Sequence, residues 1–376
     1  MKKQKKIVFA SSTPMNYIMF KPIADRMLAD ERVDVWFTAK HSPGKLYGAV
    51  GVKNVKLIRH ELAELKKFDM CICPGYFFKP KRTAVKVEMF HSVSIDNYSV
   101  SPKVSRFDKL FVIGPYLYDK FISTGTLPEN DSRLEKIGMP KVDCLVDGSL
   151  DASAIRKEFD LDNDRPTVLY APTRSVVSGT SLEHAGKEII KTVSAMDVNF
   201  IIKLHDRNYR MWRKKNPMDW RHKLDEIKTP NMRIVTGYDI CPAFLVSDLL
   251  ISDVSSVTYE FCLLDRPVIF YHIDQMIELV EHKERDRWGN EVSDLLAWGR
   301  DCGQVVKNVA ELKAAVEHGL AYPEAKSDIR KEFANKFFYN PGQATAAAVE
   351  KIYELLELDP LPWLGSKARP NKISRK

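Results

Sequence analysis

Four apolar runs in the second half of the chain each end in polar residues whose types suit the binding of an anion. The ends are YAPTR at 170–174, KLH at 203–205, TGYD at 236–239 and SDVSS at 252–256. If the runs are parallel strands, their carboxyl ends lie along one edge of a sheet, where open α/β sheets bind ligands. Such an edge would gather a guanidinium from Arg174, an ammonium, an imidazole and several hydroxyls. This set predicts a diphosphate site.

Ser255 and Ser256 lie between the apolar segments DLLISD and PVIFY, and the pattern predicts that they open a helix. Serine at a helix start can cap the first backbone N–H groups, and those groups can turn to a bound anion instead. Glu260 would lie just over one turn into that helix, where its carboxylate can accept from ribose hydroxyls. The alternative is that the serines only cap the helix and that Glu260 is a surface residue.

Two of the nine histidines, His91 and His205, end apolar runs at predicted strand termini, in VEMFH and FIIKLH. Imidazole is the side chain that exchanges a proton near neutral pH without a perturbed environment. A single histidine at a strand end is more often structural. Two of them, on opposing rims of the cleft between two predicted domains, shift the balance towards catalysis, so both are candidate catalytic residues.

These candidates need a scaffold in which strands alternate with helices. Short β-branched runs alternate with longer amphipathic segments along the chain, and this spacing requires crossovers and a parallel sheet. We predict an α/β protein with two Rossmann-like, doubly wound domains facing a central cleft, which is the GT-B arrangement. The expected ranges are 1–150 for the acceptor-side domain, 151–360 for the nucleotide-donor domain and 361–376 for a basic tail. Two Rossmann-like domains of another enzyme class are the alternative.

The charge of the chain narrows the class of partner. Lys and Arg number 58 against 50 Asp and Glu, and the excess gathers in patches such as KPKR at 79–82 and the tail. We expect no nucleic acid, because neither an aromatic-studded basic sheet nor a helix suited to a groove is evident. A phosphorylated substrate or an anionic membrane surface fits better, with a solvated basic face as the alternative.

The six cysteines lie mostly in apolar runs, without CxxC or zinc spacing, and are expected to be reduced core residues. No apolar stretch approaches the roughly 20 residues of a membrane span, and no signal-peptide core follows MKKQKK. These features predict a cytoplasmic protein. No cofactor or tightly held metal is expected, and a loosely bound magnesium on the diphosphate stays open.

Taken in order, FHSVS at 90–94, GMPKVD at 138–143, YAPTR, IIKLH and DLLISDVSSVTYEF resemble the CDP-glycerol glycerophosphotransferases, which build teichoic acids and related capsules. The resemblance runs from about Val87 to Tyr271. It implies site roles for the loop that begins at the first histidine, a Pro-Thr pair, a basic residue with the second histidine, the serine pair and an acidic residue. Here these are His91, Ser92, Val93, Ser94, Ile95, Pro172, Thr173, Lys203, His205, Ser255, Ser256 and Glu260.

Several positions depart from the pattern of that family. Ser92 stands where glycine is usual, which narrows the backbone conformations of its loop. Lys141 takes the place of an arginine and loses its bidentate phosphate geometry, although it remains a candidate donor ligand. Asp206 replaces a common proline, and Glu260 replaces a frequent aspartate. These differences leave open a donor other than CDP-glycerol that keeps the cytidine diphosphate.

The resemblance implies phosphoryl transfer, in which an acceptor hydroxyl attacks the phosphorus that carries the alditol and CMP leaves. His91 would take the hydroxyl proton, while His205, Lys203 and the serine pair would hold the diphosphate. The acceptor would be a cell-envelope polymer or a lipid-linked molecule, reached at the inner face of the membrane through the basic chain ends. Two alternatives stay open: a GT-B glycosyltransferase or epimerase that uses a UDP-sugar, and an inactive nucleotide-binding protein.

Overall fold

A computed structural model describes residues 4–93, 100–173, 180–205, 208, 220–253, 255–274 and 300–361 of the 376-residue chain. The chain divides into two compact units. Unit 1 takes residues 1–93, 98–149 and 336–376, and unit 2 takes residues 94–97 and 150–335.

Unit 1 is built on a sheet of seven parallel strands in the order β3-β2-β1-β4-β5-β6-β7. The strands are β1 Lys5–Ser11, β2 Val33–Ala39, β3 Lys56–Arg59, β4 Phe68–Cys73, β5 Thr83–Met89, β6 Lys109–Val112 and β7 Leu134–Lys136. The strand order reverses between β1 and β4, so helices cover both faces of the sheet, as in doubly wound folds.

The helices of unit 1 that precede residue 150 connect these strands. They are α1 Pro14–Leu28, α2 Pro43–Ala49, α3 His60–Leu65 and α4 Pro115–Ser123, with 3₁₀ helices at Pro102–Arg106 and Pro140–Leu145. Phe9 of β1, Phe20 of α1 and Phe37 of β2 stack on one side of the sheet, with ring centroids 4.8 to 6.4 Å apart. This aromatic cluster is completely buried and forms the core beneath α1.

Unit 2 repeats the design with six parallel strands in the order β10-β9-β8-β11-β12-β13. The strands are β8 Thr167–Tyr170, β9 Asn199–Ile202, β10 Met232–Ile234, β11 Leu249–Ser252, β12 Val268–Tyr271 and β13 Gln304–Val306. The described helices are α5 Ala152–Glu158, α6 Ser181–Ser194, α7 Trp220–Glu226, α8 Cys241–Val246, α9 Val257–Cys262, α10 Val309–Ala321 and α11 Ser327–Phe337. Strands β8, β9, β11 and β12 are buried along their whole length, as their near-continuous apolar sequences predict.

The chain returns to unit 1 at residue 336 and ends there in helix α12, Ala344–Leu355. The predicted boundary, which assigned everything from 151 to 360 to the second domain, is therefore wrong at its carboxyl end. The reason is a set of hydrogen bonds within unit 1. The Asp143 carboxylate accepts from the N–H groups of Ala344 at 3.1 Å and Thr345 at 2.7 Å, and Asn340 donates to the carbonyls of residues 136 and 137.

All six cysteines are free thiols, and five of them are buried. Within the described ranges, none of the helices combines the length and the apolar character needed to cross a membrane. The basic tail that follows residue 361 lies outside the described residues.

Candidate functional site

The carboxyl ends of β8, β9 and β11 meet at one edge of the unit 2 sheet, and we call this edge the unit 2 rim. Main-chain bonds fix the adjacency: Lys203 N–H donates to Tyr170 C=O at 3.0 Å, and Ala171 N–H donates to Ile251 C=O at 3.0 Å. The Ser252 hydroxyl donates to Ala171 C=O at 2.7 Å. Because β9, β8 and β11 are hydrogen-bonded neighbours, the residues that follow them are brought together as the sequence predicts.

Asp253, directly after β11, holds the unit 2 rim together. One oxygen of its carboxylate accepts from Thr173 N–H at 2.8 Å. The other accepts from Ser181 N–H at 3.1 Å and from Ser181 Oγ at 2.8 Å, and Ser181 Oγ also lies 2.9 Å from the Tyr170 hydroxyl. One buried side chain thus ties the loop after β8 to the first residue of α6.

Burial dominates the electrostatics of Asp253, which is 2% exposed. Desolvation raises the pKa of its carboxyl group, and the hydrogen bonds from Thr173 and Ser181 oppose that rise. A buried carboxylate with this many donors is costly to disturb, because removing one donor or acceptor leaves its partner unsatisfied. Asp253 lies in the SDVSS segment but was not among the predicted site residues. Its position directly after an apolar strand was the available signal.

Ser255 and Ser256 open α9 as predicted, but the Ser256 side chain makes no capping hydrogen bond. The first turn is held by main-chain carbonyls, since Ser255 C=O accepts from Thr258 N–H at 3.2 Å and Ser256 C=O accepts from Tyr259 N–H at 3.2 Å. Both serines are half-buried. The capping explanation therefore does not account for the Ser256 hydroxyl, which favours the ligand-binding interpretation.

Glu260 is buried, with 3% of its surface exposed, so it is not the surface residue that the alternative interpretation required. Its N–H lies 3.5 Å from Ser256 C=O, one turn along α9. Its position on the helix agrees with the prediction. A ribose contact stays a prediction.

Lys203 and His205 follow β9 on the same rim. Lys203 is 7% exposed, an unusual burial for a lysine, and its Nζ donates to Leu204 C=O at 3.4 Å. His205 is half-buried, and its carbonyl accepts from Asn208 N–H at 2.8 Å. Lys203 therefore lies deeper in the unit 2 rim than His205 does.

His91 and Ser92 follow β5 at the corresponding edge of the unit 1 sheet, and both are half-buried. The next residue, Val93, is 2% exposed and packs as a core residue. The placement of His91 at a strand end is as predicted. A role in proton transfer stays a prediction.

Lys141 is 5% exposed within the 3₁₀ helix Pro140–Leu145, so this candidate donor ligand is a buried residue. The rest of its GMPKVD motif serves the fold. Gly138 has a φ of +100°, and a Cβ on it would lie 2.1 Å from Tyr339 C=O, so only glycine fits. Asp143 binds the start of α12 through the two N–H groups described above.

Three predicted site residues lie outside the described residues, namely Ser94, Ile95 and Arg174. Pro172 and Thr173 are described, and Thr173 is tied to Asp253. In the part of the chain that the structure describes, no group of three or more His, Cys, Asp or Glu side chains could hold a metal ion.

Comparison with known protein families matches residues 82–357 to the CDP-glycerol:poly(glycerophosphate) glycerophosphotransferases. The match covers more than half of the chain and includes both sheet edges described above. The chain belongs to this family. The resemblance drawn from its motifs is thereby confirmed.

The relatives of this chain that have curated names are teichoic acid enzymes. A teichoic acid poly(glycerol phosphate) polymerase of Staphylococcus epidermidis is 29% identical over 181 residues, covering 46% of this chain and 23% of the polymerase. A teichoic acid glycerol-phosphate transferase of Staphylococcus aureus is 24% identical over 258 residues, covering 65% of this chain and 60% of the transferase. The chain thus spans less than two thirds of the length of either relative.

Solved structures support the fold. The wall teichoic acid polymerase TagF aligns with a TM-score of 0.67 and 19% identity over 94% of this chain and 89% of that one. The Staphylococcus aureus MnaA–UDP structure aligns with a TM-score of 0.60 and 16% identity over 95% of this chain and 98% of that one. These neighbours have GT-B-like folds, so the predicted α/β, GT-B-like class is confirmed.

Proposed function

We propose that this protein transfers an alditol phosphate, most simply glycerol phosphate, from a CDP-alditol to an acceptor hydroxyl and releases CMP. The observation that carries the proposal is the unit 2 rim. Asp253 holds its loops in place, and Lys203, His205 and the serine pair belong to it. Membership of the glycerophosphotransferase family supplies the reaction type.

The rim suits the donor because phosphoryl transfer depends on positioning and charge neutralisation more than on a strong base. Lys203 supplies a buried positive charge, and a half-buried imidazole and two half-buried serines supply hydrogen-bond donors. One TagF structure is of a variant soaked with CDPG, which supports a cytidine diphosphate donor for that relative. We carry the same donor class over to this chain.

His91 of unit 1 is the proposed general base. It would accept the proton of the attacking hydroxyl while the bond between phosphorus and the CMP oxygen breaks, so that CMP leaves with the electron pair of that bond. A general base typically contributes 10²- to 10⁴-fold to the rate. His91→Ala should lower turnover within that range and leave the melting temperature unchanged. The matched control is His41→Ala, which removes an exposed histidine of the same unit and should retain full activity.

The test is to incubate the protein with a panel of CDP-alditols and with UDP-sugars, and to identify the nucleotide released by chromatography. CMP from one CDP-alditol, in an amount equal to the alditol phosphate transferred, is the expected result. UDP release from a UDP-sugar would instead support the second candidate function as a sugar transferase, whereas an isomerised UDP-sugar without free UDP would support it as an epimerase. No product from any donor would mean an inactive nucleotide-binding protein.

The acceptor we propose is a cell-envelope polymer or a lipid-linked molecule, which requires contact with an anionic membrane surface from the cytoplasmic side. Helix α3 offers such a contact, because Leu62 and Leu65, one turn apart, are 55% and 53% exposed. The loop that carries Lys79, Lys81 and Arg82 packs against α3, since Lys81 N–H donates to Glu64 C=O at 2.8 Å. Exposed apolar side chains beside several cations match an anionic lipid surface.

Sedimentation with anionic liposomes at low and high ionic strength tests this attachment. Binding should fall with salt, because screened charges contribute to it. Leu62→Gln with Leu65→Gln should reduce binding, whereas the control Leu28→Gln, which changes a 46% exposed leucine on α1, should not. A chain ending at Pro360 measures the contribution of the basic tail separately. Equal binding by the wild type and the α3 variant would remove α3 from the attachment.

A further inference from the structure

Three polar side chains that the proposed reaction does not use form a row beside the unit 2 rim, at the carboxyl end of β12. His272 follows β12, and its Nε2 lies 2.6 Å from the Asp274 carboxylate. Its Nδ1 lies 2.7 Å from Arg300 Nη1. The row Asp274–His272–Arg300 is therefore connected by two short hydrogen bonds.

The chemistry of the three groups indicates which atom donates in each hydrogen bond. A guanidinium has only donors, so Arg300 donates to His272 Nδ1, which must carry a lone pair. The imidazole proton then lies on Nε2 and is donated to Asp274. Both ring nitrogens of His272 are thus engaged, and the ring orients the Arg300 guanidinium.

Arg300 makes no ion pair among the described residues, although the carboxylate of Asp301, the next residue in the chain, interacts with it electrostatically. Its Nε is buried and has no hydrogen-bond partner, and among the described residues no carboxylate lies within 4.0 Å of its guanidinium. Desolvation by burial lowers the pKa of Arg300. A partly buried charge of this kind is unfavourable unless an anion pairs with it.

The position of Arg300 indicates which anion that is. His272 lies at the carboxyl end of β12, which pairs with β11, the strand that leads to Ser255 and Ser256. Arg300 is also close enough to Tyr259, in the first turn of α9, for the two to interact electrostatically. The cation therefore belongs to the same sheet edge as the serine pair.

We propose that Arg300 is an anion-binding residue of the donor site, positioned by His272 and Asp274, and that it hydrogen-bonds an oxygen of the donor diphosphate. This inference rests on the proposed function for the identity of the donor. A planar guanidinium suits a phosphate because it presents its donors in a fixed fork.

Calorimetric titration with CDP and with inorganic pyrophosphate tests the inference. Arg300→Gln should weaken both ligands about 10- to 100-fold, the loss expected for a charge-assisted hydrogen bond, while Arg300→Lys should retain part of the affinity. The matched control is Arg165→Gln, which removes an exposed arginine paired with Asp197 before β8, at the opposite edge of the same sheet. Unchanged pyrophosphate and CDP affinity in Arg300→Gln would overturn the proposal, as would a wild type that binds neither ligand.

A comparison of two His272 variants separates a positioning role from a general loss of structure. His272→Asn places an amide oxygen near the position of Nδ1 and should keep most of the affinity, whereas His272→Ala should lose as much as Arg300→Gln. His272→Ala and Arg300→Gln should both raise the KM for the donor more than they lower kcat. Equal affinity in the two His272 variants, or equal loss in both, would exclude this role for His272.

Failure of the proposed function is distinguishable from failure of this inference. If the wild type binds pyrophosphate through Arg300 but releases no CMP from any CDP-alditol, the anion site stands and the proposed reaction falls. If CMP is released at the same KM by the wild type and Arg300→Gln, the reaction stands and the anion site falls.

Discussion

Asp143 of unit 1 and Asp253 of unit 2 are buried aspartates that make the same kind of hydrogen bond to different parts of the chain. Each accepts two main-chain N–H groups, and each is 5% exposed or less. The partners of Asp143 are at the start of α12, about 200 residues further along the chain. The partners of Asp253 are Thr173, which follows β8, and Ser181, the first residue of α6.

This difference shows that a polar residue inside a family motif can serve either the fold or the site. GMPKVD and SDVSS both contribute to the resemblance. The buried aspartate of the first binds the start of α12, while that of the second lies at the sheet edge that we propose as the donor site. The two can be separated by experiment. Substitution of Asp253 should lower turnover, and substitution of Asp143 should lower the free energy of unfolding.

The largest expected effect is on turnover of Asp253→Asn. Asparagine keeps the shape but turns an NH₂ group toward one of the N–H donors, so the loop with Thr173 or the start of α6 is released. A misplacement of about 1 Å in an active site can cost 10²-fold, and we expect a loss of about that size in steady-state turnover. Ser181→Ala, which removes one donor to Asp253, should lose less. Turnover within twofold of the wild type in both variants would contradict this role.

The second effect is a pH dependence of stability that comes from Asp143. Desolvation by burial raises the pKa of Asp143 from 3.8 to about 6. The folded state holds this proton more tightly than the unfolded state does. The contribution of the protonated Asp143 to the free energy of unfolding is therefore present below pH 3.8 and is lost as the pH rises through about 6. The advantage of the wild type over Asp143→Asn in unfolding free energy should shrink across that window, by at most roughly 3 kcal/mol. Denaturant unfolding at several pH values measures it, and a constant difference would refute the assignment.

A third effect is the loss of the helix anchor in Asp143→Ala. Removing both acceptor oxygens leaves the first N–H groups of α12 unsatisfied, which should cost about 0.5 to 2 kcal/mol of unfolding free energy at neutral pH. Donor KM and turnover should stay at wild-type values. A variant with normal stability and reduced turnover would reverse the roles that we assign to the two aspartates.

The smallest effect is expected for Ser255→Ala combined with Ser256→Ala. Because the Ser256 hydroxyl does not cap α9, its removal should leave the melting temperature nearly unchanged. Loss of two ligand hydrogen bonds should weaken donor binding about tenfold. A lower melting temperature with unchanged donor affinity would mean that the serines serve the helix alone.

Much of this molecule follows from the sequence. Apolar runs of strand length separated by helices predicted two parallel sheets, and polar residues at strand ends predicted the unit 2 rim, including Lys203, His205 and Ser255. The burial of Glu260 could not be predicted, because a single glutamate in a short helix carries no periodic pattern. The return of α12 to unit 1 escaped prediction as well. It depends on the contact between Asp143 and Ala344, which are far apart in the chain.

Arg300 and His272 show a further limit of the sequence. His272 directly follows an apolar run, and Asp274, two residues further on, is a partner near it in the chain, whereas Arg300 is not. Its hydrogen bond to Arg300 joins residues 28 positions apart. Only the three-dimensional structure reveals that this histidine has both nitrogens engaged.

The most direct test of the central claim, that the unit 2 rim binds the donor diphosphate, is the dissociation constant for CDP. It should be measured by calorimetry for the wild type, Asp253→Asn and Asp143→Asn. We predict that Asp143→Asn binds CDP like the wild type and that Asp253→Asn binds at least about tenfold more weakly, in line with the loss of a buried hydrogen bond. Equal affinity in all three proteins, or an equal loss in both variants, would contradict the claim.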